Sequence, residues 1–206
     1  MAAIALHART AEQHYAGTAD WDAIGELKAA VPEIPVLGNG DIWEAADAVS
    51  MMRVTGCDGV VVGRGCLGRP WLFRDLVEAL NGRLVPPSPS LGEACAVMAR
   101  HAHLLADHLG EDLAMRDFRK HTSWYLTGYP VGGETRRRFA NISTLGELED
   151  LIAPLDPTIH LVEGGERIRR GHTNGPIRVA LPDGYLDHLD DLTVPDDSHV
   201  MALSGG

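Results

Sequence analysis

No stretch of this sequence approaches the roughly 18 consecutive apolar residues of a membrane span, so no membrane-embedded part is expected. The opening MAAIALHART lacks a basic n-region, and its apolar run is too short for an h-region, which excludes a secretory signal peptide. Cysteine is scarce. The 3 residues Cys57, Cys66 and Cys95 are odd in number and lack framework spacing, which excludes a disulfide scaffold and suits free thiols in a reducing compartment. Positive charge is also short: 18 Lys+Arg against 29 Asp+Glu give a formal net charge of -11. A broad basic nucleic-acid surface is thereby excluded, while local patches remain open. His101, His103, His108 and His121 match no zinc-ligand spacing and read as surface or core residues. What is left is a cytoplasmic enzyme or binding protein.

The first part of the chain alternates strand and helix. Ile4 to Leu6 is an apolar run ending at His7 and Arg9. Trp21 to Val31 places Ile24, Leu27 and Val31 at helical spacing, with Asp20 as N-cap and Pro32 as terminator. Ile34 to Leu37 is a second apolar run, followed by a helix over Glu44 to Thr55 that Gly56 stops. Gly59-Val60-Val61-Val62 predicts a third strand, β-branched and buried on both faces. Leu72 to Leu80 predicts a third helix. Three β-α units in succession imply a parallel sheet, in a (β/α) barrel or a doubly wound fold.

Gly82 to Ser90 (GRLVPPSPS) reads as a linker, its prolines denying it regular hydrogen bonding. Helical patterns follow. Ser90 with Glu93, and Thr144 with Glu147, have capping-box spacing. From about Asp156 apolar periodicity fades and Gly, Pro and Asp accumulate, which reads as an acidic, poorly ordered tail.

Two glycine-rich turns carry the first chemical signal. Gly38-Asn39-Gly40-Asp41 joins a strand to a helix, where bare backbone can approach a ligand and helix-start N–H groups can hold an anion. Gly63-Arg64-Gly65 follows the next strand and adds a guanidinium suited to phosphate. A turn with an N-cap Asp41 and an exposed arginine is the plainer reading of each. Successive β-α units put both on neighbouring loops, and barrel phosphate sites commonly use two such loops. His7 and Arg9 share that edge. Cys66 has no adjacent base and reads as a small buried thiol. The second signal is basic: Arg116, Arg119, Lys120 and His121 beside Trp124 and Tyr125, then Arg136, Arg137 and Arg138. Basic groups beside aromatics suit an RNA backbone and unstacked bases, against the plainer reading of a solvated helix face.

Together these stretches resemble the tRNA-dihydrouridine synthase family. The match runs through His7-Ala8-Arg9-Thr10, Tyr15-Ala16-Gly17, Ala19-Asp20-Trp21, Gly38 to Ile42, Thr55 to Val60 and Gly63 to Phe73, then Phe118-Arg119-Lys120-His121 with Trp124-Tyr125. Ala8 and Cys66 stand where Gly and Ala are commoner, and both are small. The resemblance covers about Ile4 to Ile152. It implies an FMN-dependent enzyme, with NADPH as reductant, that reduces uridine in tRNA to 5,6-dihydrouridine. It also implies a (β/α)8 TIM barrel followed by an all-α domain that helps bind tRNA.

By the same resemblance His7, Arg9, Asn39, Gly40, Asp41, Gly63 and Arg64 belong to the FMN site. Arg116, Arg119, Lys120, His121, Arg136, Arg137 and Arg138 belong to the RNA face. The family's catalytic cysteine lies on earlier strands, and none of the three thiols here matches it. The expected organisation is a partial FMN-binding barrel over residues 1–82 (strands six to eight), a linker over 83–90, a helical tRNA-binding domain over 91–155 and a tail over 156–206. The expectation is a carboxyl-terminal portion of such an enzyme, inactive alone and monomeric at full length. A non-catalytic RNA-binding fragment, or another FMN- or phosphate-binding barrel oxidoreductase, are the alternatives.

Overall fold

The computed structural model describes residues 2–171, 175–179, 184 and 187. The chain divides into two compact units, Met1–Arg9 with Thr18–Thr173, and Thr10–Gly17 with Asn174–Gly206. In the smaller unit the Ile177 N–H donates to the Glu12 carbonyl at 2.9 Å, and the rings of His14 and Tyr15 lie 4.0 Å apart.

The larger unit opens with three β-α repeats: β1 (Ile4–His7), α1 (Trp21–Ala30), β2 (Val36–Asn39), α2 (Ala45–Thr55), β3 (Gly59–Val61) and α3 (Leu72–Leu80). The strands form one parallel sheet in the order β1-β2-β3. Ile4 pairs with Val36 and His7 with Asn39; Leu37 pairs with Gly59 and Asn39 with Val61. That register sets His7, Asn39 and Val61 side by side at the carboxyl edge.

Each helix starts and stops for a local reason. The Asp20 carboxylate accepts the N–H groups of Asp22 and Ala23 and so caps α1. Asp47 accepts from the N–H groups of Trp43 and Glu44, both at 2.9 Å, which orders the entry to α2. Gly56 leaves α2 at φ 71, a left-handed C-cap that glycine adopts without Cβ strain. The apolar faces of α1, α2 and α3 close over the sheet, burying Ile24, Val36, Ala48, Met51 and Leu72.

The structure corrects one expectation about β3. Val61 is 38% exposed, and Gly59 and Val60 are only half-buried. β3 is the last strand of the sheet among the described residues, so its β-branched run marks a strand without guaranteeing cover on both faces.

Past the irregular stretch 83–90, four helices pack together: α4 (Leu91–Leu109), α5 (Glu111–Leu126), α6 (Gly133–Phe139) and α7 (Leu145–Ile152). The capping box at Ser90 forms both bonds, Glu93 N–H to the Ser90 hydroxyl at 3.3 Å and Ser90 N–H to the Glu93 carboxylate at 2.8 Å. Thr144 caps α7 through the Glu147 N–H. Met98, Met115, Phe118, Tyr129, Phe139, Ile142 and Leu148 are the fully buried centre. Among the described residues there are seven α-helices, and none is long and apolar enough to cross a membrane.

The expected tail differs from the structure over 156–171. Ile159 and Leu161 pack on the helical core, a 3-10 turn forms at Gly165–Arg167, and Arg170 is 2% exposed. Around the 3-10 turn the holding contacts are one buried cation and close-packed glycines, which leave no apolar period to read. The rest of the expected tail, apart from 175–179, 184 and 187, lies outside the described residues.

The sheet layer meets the helices at one especially tight point, beside the packing of Trp71 on the helical core. Gly68 has φ +65, and a Cβ there would stand 2.3 Å from the carbonyl carbon of Trp124 and 2.4 Å from the nitrogen of Tyr125. The loop after β3 thus lies directly on the α5 backbone, where neither side can yield. Gly68→Ala is expected to cost about 2–4 kcal/mol of stability through clash and left-handed strain. A lowered urea midpoint at unchanged slope checks this.

Candidate functional site

The carboxyl edge of the sheet is tied by side chains. His7 Nδ1 and Asn39 Oδ1 are hydrogen-bonded, and Asn39 Nδ2 donates to the Val61 carbonyl at 2.6 Å. Asn39 thus bridges the ends of β1 and β3, leaving the His7 ring exposed at the edge. Arg9 and Asp41 form a bidentate pair at 2.7 and 2.8 Å, with the Arg9 side chain 1% exposed. Asp41 also accepts the Ala19 N–H at 2.7 Å. Burial alone would raise its pKa, but the Arg9 guanidinium and the Ala19 N–H outweigh it and hold the carboxyl below the usual range.

Asp41 sits at φ 54, and Gly40 before it at φ 134. A Cβ on Gly40 would meet that of Ala19 at 2.5 Å, so a tight turn needs glycine there. The Gly40 carbonyl accepts from Trp21 Nε1 at 3.0 Å. Arg9 and Asp41 therefore shape the loop from within, and their charged atoms are largely committed to each other.

The neighbouring loop is built differently. Gly63 leads into a 3-10 turn at Arg64–Cys66, closed by the Cys66 N–H donating to the Gly63 carbonyl at 3.2 Å. A Cβ on Gly63 would meet nothing within 4 Å, whereas one on Gly65 would lie 2.0 Å from the Ile42 carbonyl oxygen. The loop is bare on its outer side and pressed onto the β2-α2 loop on its inner side. Arg64 carries its guanidinium carbon 5.6 Å from the centre of the Trp43 ring, a cation–π contact. Cys66 Sγ donates to the Gly63 carbonyl at 3.1 Å, and burial pushes its thiol up. Cys57 and Cys95 are buried, and burial pushes Cys95 up to about 11. Cys66 and Cys95 are thereby held in the thiol form.

The basic residues separate into two groups. Arg119 donates to the Ile142 carbonyl at 2.7 Å and to the Ser143 hydroxyl, and Arg136 donates to the Tyr129 carbonyl at 2.5 Å. Lys120 pairs with Asp117 at 2.5 Å and Arg137 with Glu134 at 2.7 Å. Arg116 and Arg138 are exposed and make no ion pair among the described residues. His121 turns toward its own helices, its ring 4.9 Å from that of His101 and 4.8 Å from that of Trp124. Burial, then His101 and Lys120, push its pKa down to about 4, against a smaller opposing pull from Asp117. A cleft of about 390 Å³ lies beside this pair, between Cys66, Leu67, Gly68 and Pro70 of the loop and Val97, Leu104 and Tyr125 of the helices.

Three arginines outside the sequence-derived set surround the loops. Arg69, 3% exposed, donates to the carbonyls of Trp43 at 2.8 Å and Glu166 at 3.0 Å. Arg167 reaches Glu44 and Asp47, each at 2.7 Å. Arg170 donates only to backbone carbonyls, those of Trp124, Thr127, Gly165, Glu166 and Ile168, at 3.0 to 3.4 Å. Burial, with Arg69 beside it, holds Arg170 down to about 10. Arg69 stood inside a matched motif and was legible as a position; Arg167 and Arg170 lie where the sequence shows no period.

The family profile described as dihydrouridine synthase (Dus) matches residues 1–158. The chain belongs to that family. A probable tRNA-dihydrouridine synthase of Mycobacterium tuberculosis (strain ATCC 25618 / H37Rv) is 54% identical over 204 residues, covering 99% of this chain and 52% of that protein. Its counterpart in Mycobacterium leprae (strain TN) is 54% identical over 206 residues, covering 99% of this chain and 53% of that protein. The tRNA-dihydrouridine synthase B of Pseudomonas putida is 40% identical over 137 residues, covering 66% of this chain and 40% of that protein. The chain spans about half the length of the curated relatives it matches.

The histidine pair of this dihydrouridine synthase family member gives a pH signature. His121 is neutral in the fold with a pKa of about 4, against an ordinary 6.5 once unfolded. The unfolded chain binds the extra proton, so this contribution to stability is complete above the ordinary value and is lost as pH falls toward the folded one. The urea midpoint is expected to drop across that window, and to drop less in His121→Gln.

Proposed function

We propose that this chain carries the FMN-phosphate loops and part of the tRNA-binding surface of a tRNA-dihydrouridine synthase. The reaction is the NADPH-driven, FMN-dependent reduction of uridine to 5,6-dihydrouridine in tRNA. The observation that carries the reading is the junction of two loops at one sheet edge, Gly40–Asp41 stiffened from within and Gly63–Arg64–Gly65 bare outward, in a chain of this family. In this reading the three β-α units are the last three of an eight-stranded barrel.

The residues present fit a phosphate. Gly63 leaves the outer side of its loop open, Gly65 needs its missing side chain to seat that loop on Ile42, and Arg64 adds a planar donor braced by Trp43. FMN, when bound, supplies the hydride chemistry. The chain's own share is positional. Arg9, Asp41 and Asn39 fix the loop and strand ends, and His7 presents an exposed imidazole at the same edge. Cys95 is buried, Cys57 and Cys66 donate to backbone carbonyls, and by resemblance none stands at the family's catalytic position, so this polypeptide alone is proposed to be catalytically silent. Arg116 and Arg138 are the cations available to tRNA phosphates, whereas Arg119 and Arg136 hold the helices together. The compartment proposed is the cytoplasm, where tRNA is the partner.

Flavin fluorescence titration tests the cofactor reading. FMN is expected to bind at least about tenfold more tightly than riboflavin, which lacks the phosphate, and Arg64→Ala to remove most of that difference. Equal affinity for both flavins contradicts the reading, and so does NADPH-dependent uridine reduction by this chain at the rate of its full-length relatives. For tRNA, Arg116→Ala and Arg138→Ala are each expected to lower the slope of log K against log salt by about 1. Arg119→Ala is expected instead to lower the melting temperature. Retention of tRNA without any flavin binding would favour the RNA-binding alternative.

A further inference from the structure

The segment after the family profile, residues 164–171, touches both walls of the phosphate site. It lies beyond the matched residues 1–158, yet the mycobacterial relatives align over 99% of this chain and so continue through it. Its contacts are specific. The Glu166 carbonyl accepts from both Arg69, which also holds the Trp43 carbonyl, and Arg170, which also holds the Trp124 and Thr127 carbonyls at the end of α5. One carbonyl therefore links the β2-α2 loop to the RNA-facing helix. Arg167 adds the carboxylates of Glu44 and Asp47 at the start of α2, and the Glu166 carboxylate accepts from Ser88 of the linker at 2.6 Å.

The segment ends against Arg64 itself. Gly171 has φ +74, and a Cβ there would stand 2.8 Å from Leu67 Cδ1, 3.6 Å from Arg64 Cγ and 3.8 Å from Arg64 Cδ. The Gly171 backbone thus lies beside Leu67 and the stem of the arginine whose guanidinium lies by Trp43, with room for at most a Cβ between them. Trp43, held through its carbonyl by Arg69, is the other contact. These two contacts of Arg64 are consequently tied to the same short segment.

We infer that residues 164–171 are a positioning clasp for the phosphate site, with Arg170 as its anchor and Gly171 as the surface that sets Arg64. The inference rests on the phosphate reading of the Gly63–Arg64–Gly65 loop. Arg170 and Gly171 touch neither flavin nor substrate; they act through Arg64 and Trp43. Lysine at 170 keeps the charge but offers three donors from one point in place of a planar fork, and cannot reach five carbonyls. Alanine at 171 leaves the Arg170 side chain intact, strains the left-handed backbone, displaces Leu67 Cδ1 and through Leu67 shifts the bed on which the Arg64 stem lies.

The experiment titrates the whole 206-residue chain, as wild type, Arg170→Lys and Gly171→Ala, with FMN and with riboflavin, after thermal melting has shown cooperative folding. Each variant is expected to lose at least about threefold of the FMN-over-riboflavin preference, while riboflavin affinity stays within twofold of wild type. A folded variant with an unchanged preference overturns the clasp, and so does an equal loss for both flavins. Should Arg170→Lys fail to fold, Gly171→Ala decides alone. Should the wild type itself show no preference, the phosphate reading fails separately. The clasp is then judged by amide exchange at residues 63–67: faster exchange in Gly171→Ala supports it, and unchanged exchange overturns it.

Discussion

The contact on which the rest depends is the seating of Gly68 on the backbone of α5. At most helix packings side chains interdigitate and can adjust; here main chain meets main chain, with Trp124 and Tyr125 leaving no room for a Cβ. The turn that follows β3 therefore cannot drift relative to the helices. Because Gly63 and Arg64 sit in the same turn, the bare loop and the helix bearing Arg116 are held in one fixed relation. The buried arginines on either side, Arg69 and Arg170, reinforce this point from below.

Electrostatics in this molecule serves construction more than display. Of the basic residues that drew notice in the sequence, Arg9, Arg119, Lys120, Arg136 and Arg137 are engaged with partners inside the chain. Exposed pairs of this kind contribute little to stability. The Arg9–Asp41 pair differs, because its arginine is buried and its carboxylate is further held by a backbone N–H. It converts a turn that glycine alone would leave pliable into a rigid shelf. A net charge of -11 thus coexists with the phosphate site proposed for the Gly63–Arg64–Gly65 loop.

Much of the architecture was legible. Asp20, Ser90 and Thr144 all cap the helices that their spacing predicts, and Gly56 closes α2 in the left-handed conformation expected of it. The three parallel strands follow from the β-α period, and their register brings His7 and Asn39 together as the turn motifs implied. Cover over β3 was not legible, because β-branched composition reports strand preference and says nothing of which neighbours are present. Nor were the partners of the basic clusters: a run of arginines looks alike whether its members face water or cap carbonyls. Residues 156–171 escaped for a related reason. A segment held by Arg170 and by glycine contacts has no repeating apolar position, so its order is invisible to periodicity.

The setting of Arg170 gives the two halves of this surface different responses to their medium. Its charge is solvated by five peptide dipoles rather than by a carboxylate. Mobile ions weaken attraction between exposed charges across water, but they do not enter a closed ring of carbonyls. Arg116 and Arg138, on the open surface, lie fully within reach of that screening. Rising ionic strength therefore weakens the field of those two arginines while leaving the carbonyl contacts of Arg170 intact. The frame and the exposed charges are thus governed by separate forces.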